Sequence, residues 1–261
     1  MMVKLFRNIR KKLLIEEKTS KYLKYAIGEI LLVVIGILIA LQINNWNENR
    51  MKQQILKTHL TNSIQDLKAD HKTIKKLEKL HNLRYYSMQY LSKTSGAGNY
   101  NPKDDHSKIP LFKSDLWKKD IPTTYNKQFI QKAFVWSHRI PHYKSNEDTR
   151  KELQSTGYYS YLRNDLKSTL NNYDLEWNLY FKEIKAKLAE DWLVSLGEDG
   201  FTNADTYTLE DPLSLLKDQP KRIGILKRMI REAGWVLIGV KKNRELNNKL
   251  IKNIEMEIST L

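Results

Sequence analysis

The apolar run at residues 25–43, YAIGEILLVVIGILIALQI, constrains this chain more than any other feature. Every residue from Ile30 to Leu41 is apolar or glycine, and the full run adds only Glu29 and Gln42 as strongly polar side chains. At about 1.5 Å per residue the run makes a helix of roughly 28 Å, close to the hydrocarbon thickness of a bilayer. It therefore predicts a transmembrane helix.

A cleavable signal peptide is the main alternative interpretation of an apolar run so near the N-terminus. The basic region before the run is long, however, and no A-x-A-like cleavage site follows it. Tyr22 and Tyr25 at one end and Trp46 at the other are typical of the headgroup level, where amphipathic rings settle. We therefore predict an uncleaved signal anchor.

The charges beside the run predict its orientation. Residues 1–24 carry eight basic and two acidic side chains, whereas NNWNENR, directly after the run, is nearly balanced. Because basic flanks stay in the cytoplasm, we expect 1–24 to be a cytoplasmic basic amphipathic segment. Residues 44–261 are then a domain exported through the inner membrane to the periplasm. The net charge of +15 does not oppose export, since long domains translocate largely regardless of charge.

Small and polar residues inside the predicted span allow more than one interpretation. Gly28, Gly36 and Ala40 are spaced at multiples of four and would let a second helix approach closely, giving a homo-oligomer. Gly and Ala are also common in single spans, so pairing stays an open alternative. Glu29 lies about one turn from the end of the run, where it can snorkel to the interface, and this favours a structural role over ion transfer. Gln42 is the second intramembrane polar position.

The run EEKTSKYLKYAIGEILLVVIGILIALQINNWNENR, residues 16–50, resembles the N-terminal signature of a family of small single-pass envelope proteins of Gram-negative bacteria. That family is a domain of unknown function. ELQSTG at Glu152–Gly157 and DLKSTLNNYD at 165–174 are similar to weaker features of it. The resemblance implies a cytoplasmic N-terminus, one span and a helical exported domain, and it implies no catalytic residues.

Helical spacing of apolar residues predicts that the exported domain is all-α. Neither Gly nor Pro occurs from Ile37 to Ser95, so the membrane helix is expected to continue as one long helix. Gly234 and Gly239 weaken the last predicted helix, where a bend or a break is expected. Long helices packed antiparallel are the expected bundle. Four further helices are predicted. The first begins after a cap at Thr123 or Thr124, the second and third lie at 145–157 and 166–188, and the last runs from Pro220 almost to Leu261.

The most unusual composition outside the apolar run is at residues 188–216, which contain seven acidic residues and no Lys or Arg. Oxygens of Asp199, Asn203 and Asp205 could hold a divalent cation, since hard cations prefer such ligands. The spacing does not match the D-x-[DN]-x-[DN]-G-x₅-E calcium loop. We favour the alternative that these acids solvate a loop, cap the helix that begins at Asp211 and pair with basic surface elsewhere.

No motif in the sequence indicates catalysis. The absence of cysteine removes thiolate nucleophiles, disulfides and cysteine-bound metals, and neither a P-loop nor G-x-G-x-x-G, G-x-S-x-G or H-E-x-x-H is present. His138 and His142 are four apart, but Pro141 between them spoils the helical presentation of a zinc pair. We expect no catalytic residue and no cofactor.

The leading hypothesis is a membrane-anchored periplasmic helical protein that binds another envelope protein or a second copy of itself. An envelope ligand or signal sensor is the alternative, and it would need a partner because the cytoplasmic segment has no room for an effector domain. A cation-dependent envelope hydrolase using the acidic segment is a third hypothesis. Nucleic acid is not expected as a partner, because it requires the opposite topology and the basic residues are dispersed.

Overall fold

A computed structural model describes residues 19–100, 109–111, 113–140, 144–182 and 186–261. No strand occurs in these ranges, and the predicted all-α fold is confirmed. The predicted amphipathic segment lies largely outside them, at residues 1–18. The α-helices are α1 (Thr19–Thr94), α2 (Lys127–His138), α3 (Asp148–Ser155), α4 (Asn164–Trp177), α5 (Ala186–Gly197) and α6 (Pro220–Thr260). Shorter elements are 3₁₀ turns at Tyr158–Tyr161, Asp205–Tyr207 and Pro212–Leu215 and a π turn at Asn178–Lys182.

The chain divides into two compact units, residues 1–57 and 58–261. The first contains the apolar run, and the second contains the remaining helices and the core. Helix α1 supplies residues to both units and is unbroken over its whole length, as the lack of Gly and Pro predicts. The boundaries expected at residues 24 and 43 depend on a membrane and stay predictions.

The α1 portion of the second unit buries a regular apolar seam. The spacing of four and three along this seam predicts an apolar residue at the position of His71, but His71 is only half-buried and Asp70 is the buried residue. Asp70 lies in the core because Ser145, Asn146 and Tyr173 donate hydrogen bonds to its carboxylate. The apolar residues of the seam, each 8% exposed or less, are Leu60, Ile64, Leu67, Ile74 and Leu77.

The long helices of the second unit pack antiparallel, as predicted. Helices α4 and α6 meet through Arg163 and Glu257, whose Nε and Oε2 are 2.6 Å apart. At the far end of the same pair, the rings of Tyr180 and Trp235 have centroids 4.8 Å apart. In the region of the predicted helix across 166–188, α4 ends at Trp177, the π turn follows directly, and α5 begins at Ala186; residues 183–185 lie outside the described ranges. Helix α2 has its cap at Asn126, whose side-chain oxygen accepts a hydrogen bond from the backbone of Phe129, rather than at a threonine.

Gly239 is a contact position, and the helix does not break there. Helix α6 is unbroken from Pro220 to Thr260, and a Cβ on Gly239 would lie 2.2 Å from Cγ of Tyr180. The missing side chain therefore lets the tyrosine ring lie against the α6 backbone. Close packing of the ring offsets the weak helix propensity of glycine, so α6 has no need to break there.

Candidate functional site

The apolar part of α1 is the clearest candidate for a functional surface. Every Ile, Leu and Val from Ile30 to Ile43 is between 44% and 63% exposed. Within the described ranges, α1 is the helix long and apolar enough to cross a membrane, and no residue of its most apolar stretch is buried. Transfer of each such side chain from water to an apolar environment is favourable by about 1.5–3 kcal/mol. This surface is therefore much more stable in an apolar environment than in water.

The small and polar residues of this stretch lie on an uncovered helix. Gly28 is half-buried, while Gly36 and Ala40 are exposed. A Cβ on either glycine would meet nothing within 4 Å, so no other described part of the chain packs closely on them. Glu29 is half-buried and Gln42 is exposed. Pairing of two helices through the small residues stays a prediction.

A pair of side chains follows the apolar run on α1. The Cζ atom of Arg50 lies 5.4 Å from the centroid of the Trp46 ring, and Trp46 is 63% exposed. On the opposite face, the Asn44 amide donates a hydrogen bond of 2.7 Å to Glu48. The guanidinium therefore points back by one helical turn toward the apolar run.

The three residues of the predicted cation site have separate partners. Asp199 forms an ion pair with the buried guanidinium of Arg222. The Asn203 side chain lies between two groups: its Nδ2 is 2.9 Å from Nδ1 of His138, and its Oδ1 accepts from the Trp192 indole at 3.3 Å.

Asp205 is engaged within its own loop. Its Oδ2 accepts hydrogen bonds from the backbone and hydroxyl of Thr202, at 2.6 and 2.8 Å. These bonds lower the pKa of Asp205. The described residues contain no cluster of three or more acidic or histidine side chains with the geometry of a metal centre. Cation binding by Asp199, Asn203 and Asp205 stays a prediction.

Three other acids of this segment, Asp211, Glu198 and Asp191, form a cap or ion pairs as expected. Asp211 accepts a hydrogen bond of 3.1 Å from the backbone of Leu213 and caps the 3₁₀ turn. A hydrogen bond from Lys217 is the largest cause that lowers the pKa of Asp211. The remaining ion pairs join α5 and its end to the start of α6: Glu198 with Lys221 at 2.6 Å and Asp191 with Arg228 at 3.4 Å.

A buried polar network, which the sequence did not reveal, centres on Asp70. Its carboxylate accepts hydrogen bonds from Ser145 Oγ at 2.7 Å, from the backbone and side chain of Asn146 at 2.7 and 2.8 Å, and from Tyr173 OH at 3.0 Å. Arg150 is 2% exposed and donates to Ser145 Oγ at 2.7 Å. Burial, then the charge of Asp70, raises the pKa of Tyr173. Because so many donors surround the carboxylate, the network fixes the packing of α1, α3 and α4.

A second buried group surrounds Arg84 on α1. Its Nε donates to the backbone oxygen of Ser137 at 2.7 Å, and its Nη2 forms an ion pair with Glu232 at 3.1 Å. His81, one turn earlier, is fully buried, and neither of its ring nitrogens has a hydrogen-bond partner among the described residues. Burial, and then the charge of Arg84, lowers the pKa of His81 from 6.5 to about 3. His81 is therefore a neutral core residue near pH 7.

Two clefts of the second unit lie apart from both buried groups. One, of about 510 Å³, is lined by α5 and the start of α6 and includes Val194, Ile225 and Arg228. Another, of about 590 Å³, lies between α4 and α6 and includes Asn171 and Lys249. Both are open to solvent, and neither brings together an acid, a base and a nucleophile.

Residues 29–94 match the Family of unknown function (DUF6090). The match covers about a quarter of the chain. It begins inside the apolar run and ends at the last residue of α1. The predicted resemblance to a family of unknown function therefore holds at this coarse level. No curated protein and no solved structure matches the chain.

Proposed function

We propose that this protein is anchored in the inner membrane by one span, residues 25–43. Residues 1–24 lie in the cytoplasm and residues 44–261 in the periplasm. The single observation that carries the anchor is the uniform exposure of the apolar side chains from Ile30 to Ile43. The excess of basic residues before the span supports the orientation.

The biochemical role that fits best is non-enzymatic. The helical unit 58–261 uses its buried charged groups in internal contacts, as with Asp70 and Arg84, and its described clefts hold no catalytic arrangement. We propose that this unit is a structural or protein-interaction module whose partner is another envelope protein or a second copy. In the second case, Gly28, Gly36 and Ala40 form the contact within the membrane.

Fusion reporters test the topology. Alkaline phosphatase joined after Leu261 should be active, and a fluorescent protein that matures only in the cytoplasm should be dark at the same position. The opposite pattern contradicts the orientation. Release of the intact chain from membranes by alkaline carbonate contradicts the anchor itself.

Crosslinking tests the role. In-cell crosslinking followed by mass spectrometry should capture a second copy or an envelope protein, and a Gly36→Ile variant should lose the self-contact if it runs through the span. Gly28→Ile is a second probe of the same stripe, and Val34→Ile is the matched control on the opposite face of the helix. A chain that remains monomeric and captures nothing contradicts the interaction role.

A further inference from the structure

The structure places an aromatic and basic pair one turn beyond the apolar run of α1. We propose that Trp46 and Arg50 together bind the phosphate of a membrane phospholipid and thereby set the depth of the span. This inference rests on the proposed anchoring of residues 25–43.

The position of the pair along α1 is the first argument. Trp46 follows Ile43 by three residues, so its Cα lies about 4.5 Å beyond the apolar run. The headgroup layer on each side of a bilayer is roughly 5–8 Å thick. The Arg50 backbone lies farther out, but its side chain reaches back over Trp46, which puts the guanidinium at the level of this layer.

The face of the helix is the second argument. Ile39, Ile43, Trp46 and Arg50 follow a spacing of four, three and four residues and share one side of α1. The apolar side that meets the acyl chains therefore continues directly into the pair. Glu48 lies on the opposite face and is held there by Asn44.

The chemistry of the guanidinium is the third argument. Among the described residues, no carboxylate forms an ion pair with Arg50, which is exposed. Its planar donors match two oxygens of a phosphate. Because the Arg50 side chain already lies over the indole, it loses less conformational freedom when it binds. Phosphate is common to all phospholipid headgroups, so the contact does not depend on an anionic lipid.

Native mass spectrometry of the full chain with added phosphatidylcholine tests this proposal. We expect Arg50→Gln and Trp46→Ala each to lower the affinity for the lipid about threefold to tenfold. Arg50→Lys keeps the charge but loses the paired planar donors of the guanidinium, so its affinity should fall between that of the wild type and that of Arg50→Gln. Lys52→Gln is the matched control, because it removes a positive charge two residues away on another face, and it should leave the affinity unchanged.

Two outcomes overturn the proposal. Equal affinities in Arg50→Gln and Lys52→Gln would show that no specific contact exists. A loss seen with phosphatidylglycerol but not with phosphatidylcholine would show general attraction to negative charge. Carbonate extraction of the same variants distinguishes failure of the phosphate contact from failure of the anchor. A wild-type chain that leaves the membrane contradicts the proposed anchoring. Variants that stay in the membrane and bind the lipid with unchanged affinity contradict only the phosphate contact.

Discussion

His81 should make the stability of the helical unit fall in mild acid. Its pKa is about 3 in the folded chain and 6.5 as an ordinary histidine, so between these values the unfolded chain binds more protons. The free energy of unfolding that depends on neutral His81 is therefore fully present above pH 6.5, and it is lost as the pH falls toward 3. Each pH unit between the two pKa values is worth about 1.4 kcal/mol, so the free energy of unfolding should drop by about 2 kcal/mol between pH 7.5 and pH 5.

Urea unfolding of the full chain in a mild detergent, followed by tryptophan fluorescence, measures this effect at pH 7.5 and pH 5. His81→Leu has a similar volume and no titrating group, so about 2 kcal/mol of the pH dependence should disappear. At pH 7.5 the same variant should be neutral or more stable, because two buried nitrogens without partners are removed. Burial also lowers the pKa of His138, so a smaller pH dependence of stability, of the same sign, should remain in His81→Leu.

His71→Leu is the matched control on α1. His71 is half-buried, and its replacement leaves His81 in the core, so the pH dependence should persist. Equal losses of free energy in wild type and His81→Leu between pH 7.5 and pH 5 would contradict a role of His81 in the pH dependence. Loss of the dependence in His71→Leu, to the same extent as in His81→Leu, would contradict it as well.

Three further perturbations have outcomes that follow from single contacts. Gly239→Ala should cost about 1–3 kcal/mol in urea unfolding because its Cβ overlaps Tyr180, whereas Gly224→Ala, which has open space, should be neutral or stabilising. Asp70→Ala should cost about 3–5 kcal/mol, since several buried donors lose their acceptor, although Arg150 keeps its ion pair with Asp174 at 3.0 Å. Calcium should not raise the thermal midpoint, and Asp199→Ala should lower it equally with and without calcium; a calcium-dependent rise that Asp199→Ala abolishes would establish the cation site.

Local sequence patterns determined the helices and the candidate anchor. The apolar run at 25–43 and the absence of Gly and Pro up to Ser95 depend only on neighbouring residues, and α1 follows from them. The same holds for α6, which begins at Pro220 as predicted. Asp211 was recognised as a cap because a cap involves residues close in the sequence.

The tertiary structure alone decided how polar residues are used in the core. Asp70 contacts Tyr173 at a sequence separation of 103 residues, and Arg84 contacts Glu232 at a separation of 148. The periodicity of a helix does not predict contacts between residues so far apart in the sequence. Gly239 was expected to weaken α6 because its contact with Tyr180 is invisible in the sequence. Helix formation depends on near neighbours, whereas the partner of a buried charge is chosen by which helices pack together, and that choice requires the whole fold.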